Sequence, residues 1–293
     1  MADVPPLVSV VMICYNGQAF IAAAIESVLS QTFQSWELVV ADDGSTDASR
    51  EIVEEYCSEH PDRIRLVRHP DAKNHGMSAT RNLGANSSRG EYLAFLDCDD
   101  VWLPEKLAEQ VAVLGQYPAA GMVYGRTLIW HSWNAKAGSE DFFYDLGVPP
   151  GQLYAPPSLL LVLLKNAAQT PTTCNAIVRR SIFDRVGGFE PSFRGMFEDQ
   201  VFFGKVLLET PTYVADQCWA KYRQHSTSHS AMSAQGNADW RSRLRFLTWF
   251  GRYVLRTSAG RLEVLAAVAR EVAVSVLRQA KRSVKGGARK WLA

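Results

Sequence analysis

Leu7 opens an almost unbroken apolar run, Val8-Ser-Val-Val-Met-Ile-Cys14. A run of strand length without polar alternation fits a strand covered on both faces, as in a parallel sheet. Tyr15-Asn16-Gly17 then supplies a turn. Phe20, Ile21, Ala24, Ile25, Val28 and Leu29 follow at helical spacing. The alternation repeats. Trp36 to Ala41 predicts a second strand, which runs out into Asp42-Asp43-Gly44-Ser45. Asp47 is the predicted N-cap of a helix carrying Ile52, Val53, Tyr56 and Cys57. Ile64 to Val67 predicts a third strand and Ser78 to Ser87 a helix. Tyr92 to Leu96 predicts a fourth strand, ending in Asp97-Cys98-Asp99-Asp100. Pro104 stands at the first turn of a helix with Leu107, Val111 and Leu114. Strands alternating with helices of about a dozen residues imply βαβ units, right-handed crossovers and a parallel sheet. Ligands of such sheets bind at the carboxyl ends of the strands. Here those ends carry Tyr15-Asn16, Asp42-Asp43 and Asp97 to Asp100.

The pattern loosens in the second half. Gly121 to Ile129 predicts one more strand. Residues 131–157 mix Trp, Pro, Gly and acids and read as a long loop, of the kind that forms lids or binding loops. Trp130 and Trp133 read as packing residues somewhat more than as stacking platforms for a ligand. Ser158 to Lys165 starts an apolar helix. From residue 240 the chain becomes rich in Arg and Lys and poor in acids. Trp240 to Thr257 and Arg261 to Val284 have helical periodicity. In the latter, Leu262, Leu265, Val268, Ala269, Val272, Val276 and Leu277 form an apolar face. The basic tail from Arg278 to Lys290 ends in Trp291-Leu292. A basic amphipathic helix can lie on an anionic membrane surface. Packing on the preceding domain and a homodimer interface are the alternatives.

Composition narrows the class. With 293 residues the chain has room for one large domain or two small ones. At 47% hydrophobic and 21% charged it is not disordered, collagen-like or a coiled coil. The net charge of +1 argues against a nucleic-acid binder. Cys14, Cys57, Cys98, Cys174 and Cys218 are scattered and odd in number, which points away from a disulfide scaffold or a cysteine zinc site and towards a reducing compartment. No basic leader precedes Leu7, and no apolar stretch approaches the length of a membrane span. The expected location is cytoplasmic, with peripheral contact at the cytoplasmic face of a membrane through residues 278–293.

The strand ends define the ligand chemistry. Neither GxGxxG after the first strand nor GxxxxGK[ST] is present, so the glycine-rich phosphate loops are absent. The loops offer carboxylates instead. Carboxylates repel bare phosphate but hold a divalent cation, Mn²⁺ or Mg²⁺, that can bridge to a diphosphate. Asp97 and Asp99 flank one residue at a strand end, and acids crowded there favour a metal.

Five collinear blocks carry a stronger signal: VSVVMICYN (8–16), AIESVLSQT (24–32), WELVVADDGSTD (36–47), ATRNLG (79–84) and YLAFLDCDD (92–100). VGGFE (186–190), FEDQ (197–200) and YRQH (222–225) follow them. Together they resemble the family-2 glycosyltransferases, inverting enzymes of the GT-A fold that move a sugar from a nucleotide diphosphate to an acceptor. The resemblance implies an α/β, Rossmann-like, mostly parallel sheet with helices on both faces, plus a C-terminal helical extension. It implies Tyr15 beside the base and Asp42 on the base imide, favouring uridine, with Asp43 the second choice. Arg81 would contact base or diphosphate, and Asp97 the ribose or sugar. The implied donor-binding set is completed by Asn16, Cys98 and Glu198. Asp99 and His225 would meet the metal. Asp199 would be the general base, ionised at neutral pH, for an in-line displacement by an acceptor hydroxyl. Residues 169–175 and 186–197 would line the acceptor side. Cys14 and Thr80 depart from the family's usual small hydroxyl or proline, and Ala or Gly, without removing a group the mechanism needs.

The expected division is a glycosyltransferase domain over 1–235, with a nucleotide-binding half (1–115) and an acceptor-side half (116–235), followed by a helical extension (236–293). The expected enzyme is of the hexosyltransferase type, acting on a saccharide or lipid-linked acceptor in cell-surface polysaccharide or glycoconjugate synthesis. The competing readings are a nucleotidyltransferase, which would more usually show a glycine-rich basic loop, and a non-catalytic nucleotide-sugar scaffold. Each site also has a plainer reading. Asp42 to Ser45 suits a turn and helix cap, Asp100 a cap for the Pro104 helix, Arg81 a surface helix and Glu198-Asp199 a helix start. His225 is one of six histidines, and His229 is a weaker metal candidate.

Overall fold

The computed structural model describes residues 5–135, 138–228, 231, 239–257 and 261–290, with side chains given as far as 280. Its first half follows the predicted alternation: β1 (Val8–Cys14), α1 (Ile21–Leu29), β2 (Trp36–Asp42), α2 (Ser49–Glu59), β3 (Ile64–Arg68), α3 (Met77–Asn86) and β4 (Tyr92–Asp97). Next come β5 (Val101–Trp102), α4 (Lys106–Gln116), β6 (Met122–Trp130), β7 (Gln152–Tyr154), α5 (Ser158–Lys165), β8 (Ile177–Arg179) and α6 (Arg180–Val186). The described chain closes with α7 (Glu198–Glu209), β9 (Thr212–Arg223), α8 (Asp239–Thr257) and α9 (Leu262–Lys290).

One sheet carries all nine strands, in the order β3-β2-β1-β4-β8-β6-β9-β5, with β7 on β9. The long ladders, β1 with β2 and β4, β2 with β3, and β6 with β9, are parallel. The ladders through β5, β7 and β8 are antiparallel and only two or three pairs long. β8 inserts between β4 and β6, so it joins the halves.

All seven residues of β1 and of β2 are buried, which is why their sequences do not alternate. On one face Val8, Val10 and Met12 pack with Ile21, Ala24, Ile25 and Val28 of α1 and Leu107 and Leu114 of α4. On the other, Val11, Leu93 and Phe95 meet α5, α6 and α7. Gly84 lets α3 lie close to β1, because a Cβ there would stand 2.5 Å from Val11 Cγ1.

Some expectations needed correction. Asp47 precedes the N-cap position, yet its carboxylate accepts the Ser49 N–H (3.0 Å). Pro104 lies in the turn before α4, whose N-cap is Glu105. Residues 131–157 are not all loop, for they contain β7 and a bridge between Ile129 and Phe142. The apolar face expected on α9 is rotated. Val264 and Val268 are buried, whereas Leu262 and Leu277 are 75% and 61% exposed. Phe246, Leu247, Phe250 and Val254 of α8 are fully buried in the same core as α7. Among the described residues no helix is long and apolar enough to cross a membrane. His229, Trp291 and Leu292 lie outside the described residues, as do the side chains of 281–290.

Candidate active site

The loops after β1 and β2 are tied together by hydroxyls and amides. Ser45 Oγ accepts the Asn16 N–H (2.9 Å), and Ser49 Oγ accepts the Gly17 N–H (2.8 Å). Asn16, at φ 53°, turns its Oδ1 to the Thr46 N–H (2.8 Å). Most of the Asp42-to-Asp47 block therefore builds the walls of the site. Tyr15 stands 52% exposed at the end of β1, its ring open to a ligand.

The two neighbouring acids differ in what they already hold. Asp43 accepts the His75 N–H (2.7 Å), the Gly76 N–H (2.9 Å) and the Thr80 hydroxyl (2.8 Å). It anchors the loop before α3. Asp42 accepts the Ser45 N–H alone (3.1 Å), leaving acceptor capacity for a ligand.

Arg81 is not a surface residue. Its guanidinium is 1% exposed and spans two carboxylates, with Nη1 donating to Glu198 Oε1 (2.6 Å) and Nη2 to Asp97 Oδ1 (2.7 Å). Burial works against its charge, but the Asp97 and Glu198 carboxylates outweigh it and hold the guanidinium charged. Arg81 thereby bridges the β4 loop and α7. Thr173 closes the other side of Asp97, its hydroxyl donating to Oδ2 (3.1 Å).

Glu198 and Asp199 are the first two residues of α7. Burial pushes the Glu198 carboxyl up to about 7, with Arg81 pulling the other way. Burial likewise raises Asp199, opposed by the Gln200 N–H that it accepts (2.8 Å). A carboxylate raised above its ordinary range is a stronger base once ionised.

Asp99 Oδ2 lies 3.0 Å from His225 Nε2, across 126 residues of chain. His225 Nδ1 contacts the Thr227 hydroxyl (2.8 Å), and its ring packs on Phe20 (4.6 Å). At that separation Nε2–H donates to the Asp99 carboxylate and Nδ1 accepts the Thr227 hydroxyl; an ion held by both groups would take the place of the Nε2 proton. A carboxylate oxygen suits both Mn²⁺ and Mg²⁺, whereas an imidazole nitrogen suits Mn²⁺ better than the harder Mg²⁺; phosphate and water would supply the remaining positions. Among the described residues no group of three or more His, Cys, Asp or Glu side chains converges on one point.

Arg223 was not singled out from the sequence, although it lies inside the YRQH block. Its Nε donates to the Asp99 carbonyl (2.7 Å) and its N–H to Asp100 Oδ1 (2.9 Å). Its guanidinium is enclosed by Phe20, Trp130 and Trp133, at 5.1, 4.6 and 5.1 Å from the ring centroids. Both tryptophans, partly buried, pack on this guanidinium. Asp100 belongs to this clamp and caps no helix. Cys98 is buried beneath the first loop beside the Cys14 thiol, where a Cβ on Gly17 would come within 2.5 Å of its sulfur.

A parallel half-sheet thus carries acidic loops after β2 and β4 at its carboxyl edge, and a buried Arg–carboxylate bridge ties the second of them to α7. The sequence model of glycosyl transferase family 2 matches residues 9–187. The chain belongs to that family. A glycosyltransferase of Nostoc sp. is 28% identical over 240 residues, 79% of this chain and 69% of its own length. The Escherichia coli enzyme WfgD, a UDP-Glc:α-D-GlcNAc-diphosphoundecaprenol β-1,3-glucosyltransferase, is 41% identical over 108 residues, but these make up 37% of this chain and 41% of WfgD. Staphylococcus aureus TarS residues 1–349, solved with UDP-GlcNAc, superposes with a TM-score of 0.70 at 18% identity, covering 90% of this chain and 72% of that one. The family-2 glycosyltransferase therefore has the GT-A fold, with its C-terminal helices packed against it.

Proposed function

We propose that this glycosyltransferase is an inverting enzyme that takes a sugar from a UDP-sugar, with Asp199 as general base. The observation that carries the reading is the bridge Asp97–Arg81–Glu198, which ties the acidic loop after β4 to the residue beside Asp199. Tyr15 flanks the base, and Asp42 accepts the uracil imide N–H with the capacity that Asp43 lacks. Asp99 and His225 would hold the divalent ion, Mn²⁺ or Mg²⁺. When bound, the ion neutralises the charge that develops on the leaving diphosphate. Asp199 accepts the proton of the acceptor hydroxyl as that oxygen attacks the anomeric carbon and the diphosphate departs. The UDP-glucose-dependent activity of WfgD and the UDP-GlcNAc complex of TarS support a UDP donor. WfgD's diphosphoundecaprenol-linked substrate supports a lipid-linked saccharide acceptor in polysaccharide synthesis. The Pyrobaculum calidifontis mannosyltransferase PcManGT, solved with GDP-Man and Mn²⁺, supports the metal and makes GDP-mannose the control donor.

We also propose that α9 touches the cytoplasmic face of a membrane. Leu262, Val276 and Leu277 are exposed on it, with Arg270 and Arg278.

The test of the base is Asp199→Asn. Binding of UDP with Mn²⁺, followed by calorimetry, should be retained. Transfer from the UDP-sugar that supports it should fall on the order of 10²–10⁴-fold. Transfer at the native rate would remove Asp199 from the role.

A further inference from the structure

Phe197 has φ +70°. An aromatic residue in the left-handed region is strained, because its Cβ crowds the backbone. The strain sits where it matters, at the N-cap of α7, immediately before Glu198 and Asp199. What holds Phe197 there comes from far along the chain. Its buried ring lies flat against Phe246 of α8, with centroids 5.7 Å apart and planes at 7°. Strained backbone persists only where its surroundings over-determine it.

Neighbouring contacts tighten the same grip. Arg245 donates to the Ser192 carbonyl and lies over Phe193, 4.8 Å from the ring centroid. Trp249 meets Phe193 edge-on at 5.8 Å. From the other side Ser78 of α3 donates to the Phe193 carbonyl (3.0 Å). Gly204 allows α7 and α8 to approach closely, since a Cβ there would stand 2.7 Å from the Phe250 ring.

We infer that α8 is a positioning element of the reaction centre: the Phe246 ring keeps Phe197 in its left-handed conformation and so sets the geometry with which α7 presents Asp199. The inference rests on Asp199 being the base. Phe246 touches no reacting group and acts through Phe197.

The experiment exploits glycine, which adopts positive φ without strain. Phe246→Leu keeps apolar bulk but removes the flat stack. It is compared with Phe246→Leu carrying Phe197→Gly, and with Phe246→Leu carrying Phe197→Ala. Retained UDP binding reports that the donor half is folded. Two readouts follow: hydrogen exchange of the amides at 198–201, and release of UDP from UDP-glucose and UDP-GlcNAc with Mn²⁺. Phe246→Leu should speed the exchange and lower kcat, each on the order of tenfold or more, with donor KM within about twofold. Phe197→Gly should restore both, and Phe197→Ala should not. Unchanged exchange in Phe246→Leu overturns the inference. Equal rescue by Gly and Ala also overturns it, since loss of the ring and not backbone freedom would then be at work. Asp199→Asn, run alongside, separates the two levels. Full turnover in that variant removes the base, while the exchange data still decide whether Phe246 controls the start of α7.

Discussion

At the scale of single residues, adjacent acids divide the labour. Asp43 satisfies three donors and Asp42 one, so the same substitution should act differently at each. Asp43→Asn turns an amide against one of those donors and should lower unfolding free energy by about 1–3 kcal/mol. Asp42→Asn should change stability little and shift the preference between UDP and GDP. Urea unfolding and calorimetry distinguish the two. Lys106 makes a further case. It is fully buried, its Nζ donates to Gln110 Oε1, and burial pushes its amine down to about 7. Between there and the ordinary lysine value of about 10.4, the unfolded chain keeps a proton that the folded chain has released. Lys106 therefore makes stability rise with pH across that window. Lys106→Met should be more stable than the native chain at pH 6, and the gap should narrow by pH 10. A constant difference would show that Lys106 is not the group responsible. Arg81 illustrates the limit of reading residues alone. An arginine between two helix turns reads as a surface residue or a ligand contact, and only the fold reveals two buried carboxylates around it.

At the scale of elements, legibility followed the apolar run and not length alone: β9, the longest strand at twelve residues, went unread because its buried and exposed positions keep no steady period. β1, β2 and β4 each hold six or seven residues, enough for an apolar run to stand out. β5, β7 and β8 hold two or three, too few for any period, and their pairing is dictated by the strands that receive them. The acidic loops were visible because strand ends were. Thr173 fell within the segment expected at the acceptor side, but its contact with Asp97 was not legible, because it arises only from β8 pairing with β4. Arg223 escaped notice for a related reason: its N–H and Nε serve a loop 123 and 124 residues earlier. Contacts to the loop beneath a metal site typically matter by about 10–100-fold in affinity. Arg223→Leu should therefore weaken Mn²⁺-dependent UDP binding by about tenfold, with metal-free UDP binding within about twofold. Equal losses with and without Mn²⁺ would instead mark Arg223 as part of the nucleotide pocket.

At the scale of the whole molecule, the helices drawn from sequence as an extension share the core of α7. Helical period revealed α8 and α9, but not which face would be covered: their apolar residues wrap more of each helix than one contact surface needs, and the neighbours make the choice. What α9 leaves outward, Leu262, Val276 and Leu277 with Arg270 and Arg278, is the surface proposed for the membrane. The full chain should sediment with vesicles containing anionic lipid, less so at high salt. A chain lacking residues 278–293 should stay in the supernatant while keeping UDP binding. Equal partitioning of the two would refute the contact.

The stacking of Phe246 on Phe197 has a consequence for biosynthesis. Domains generally form from the N-terminus as the chain is made, and the nucleotide loops are complete once β4 has emerged. The wall behind α7 is not, because Phe246, Leu247, Phe250 and Val254 are translated some forty to sixty residues after Asp199. A nascent chain arrested shortly after β9 has every carboxylate of the site, yet it still lacks the Phe246 ring behind the residue proposed as the base.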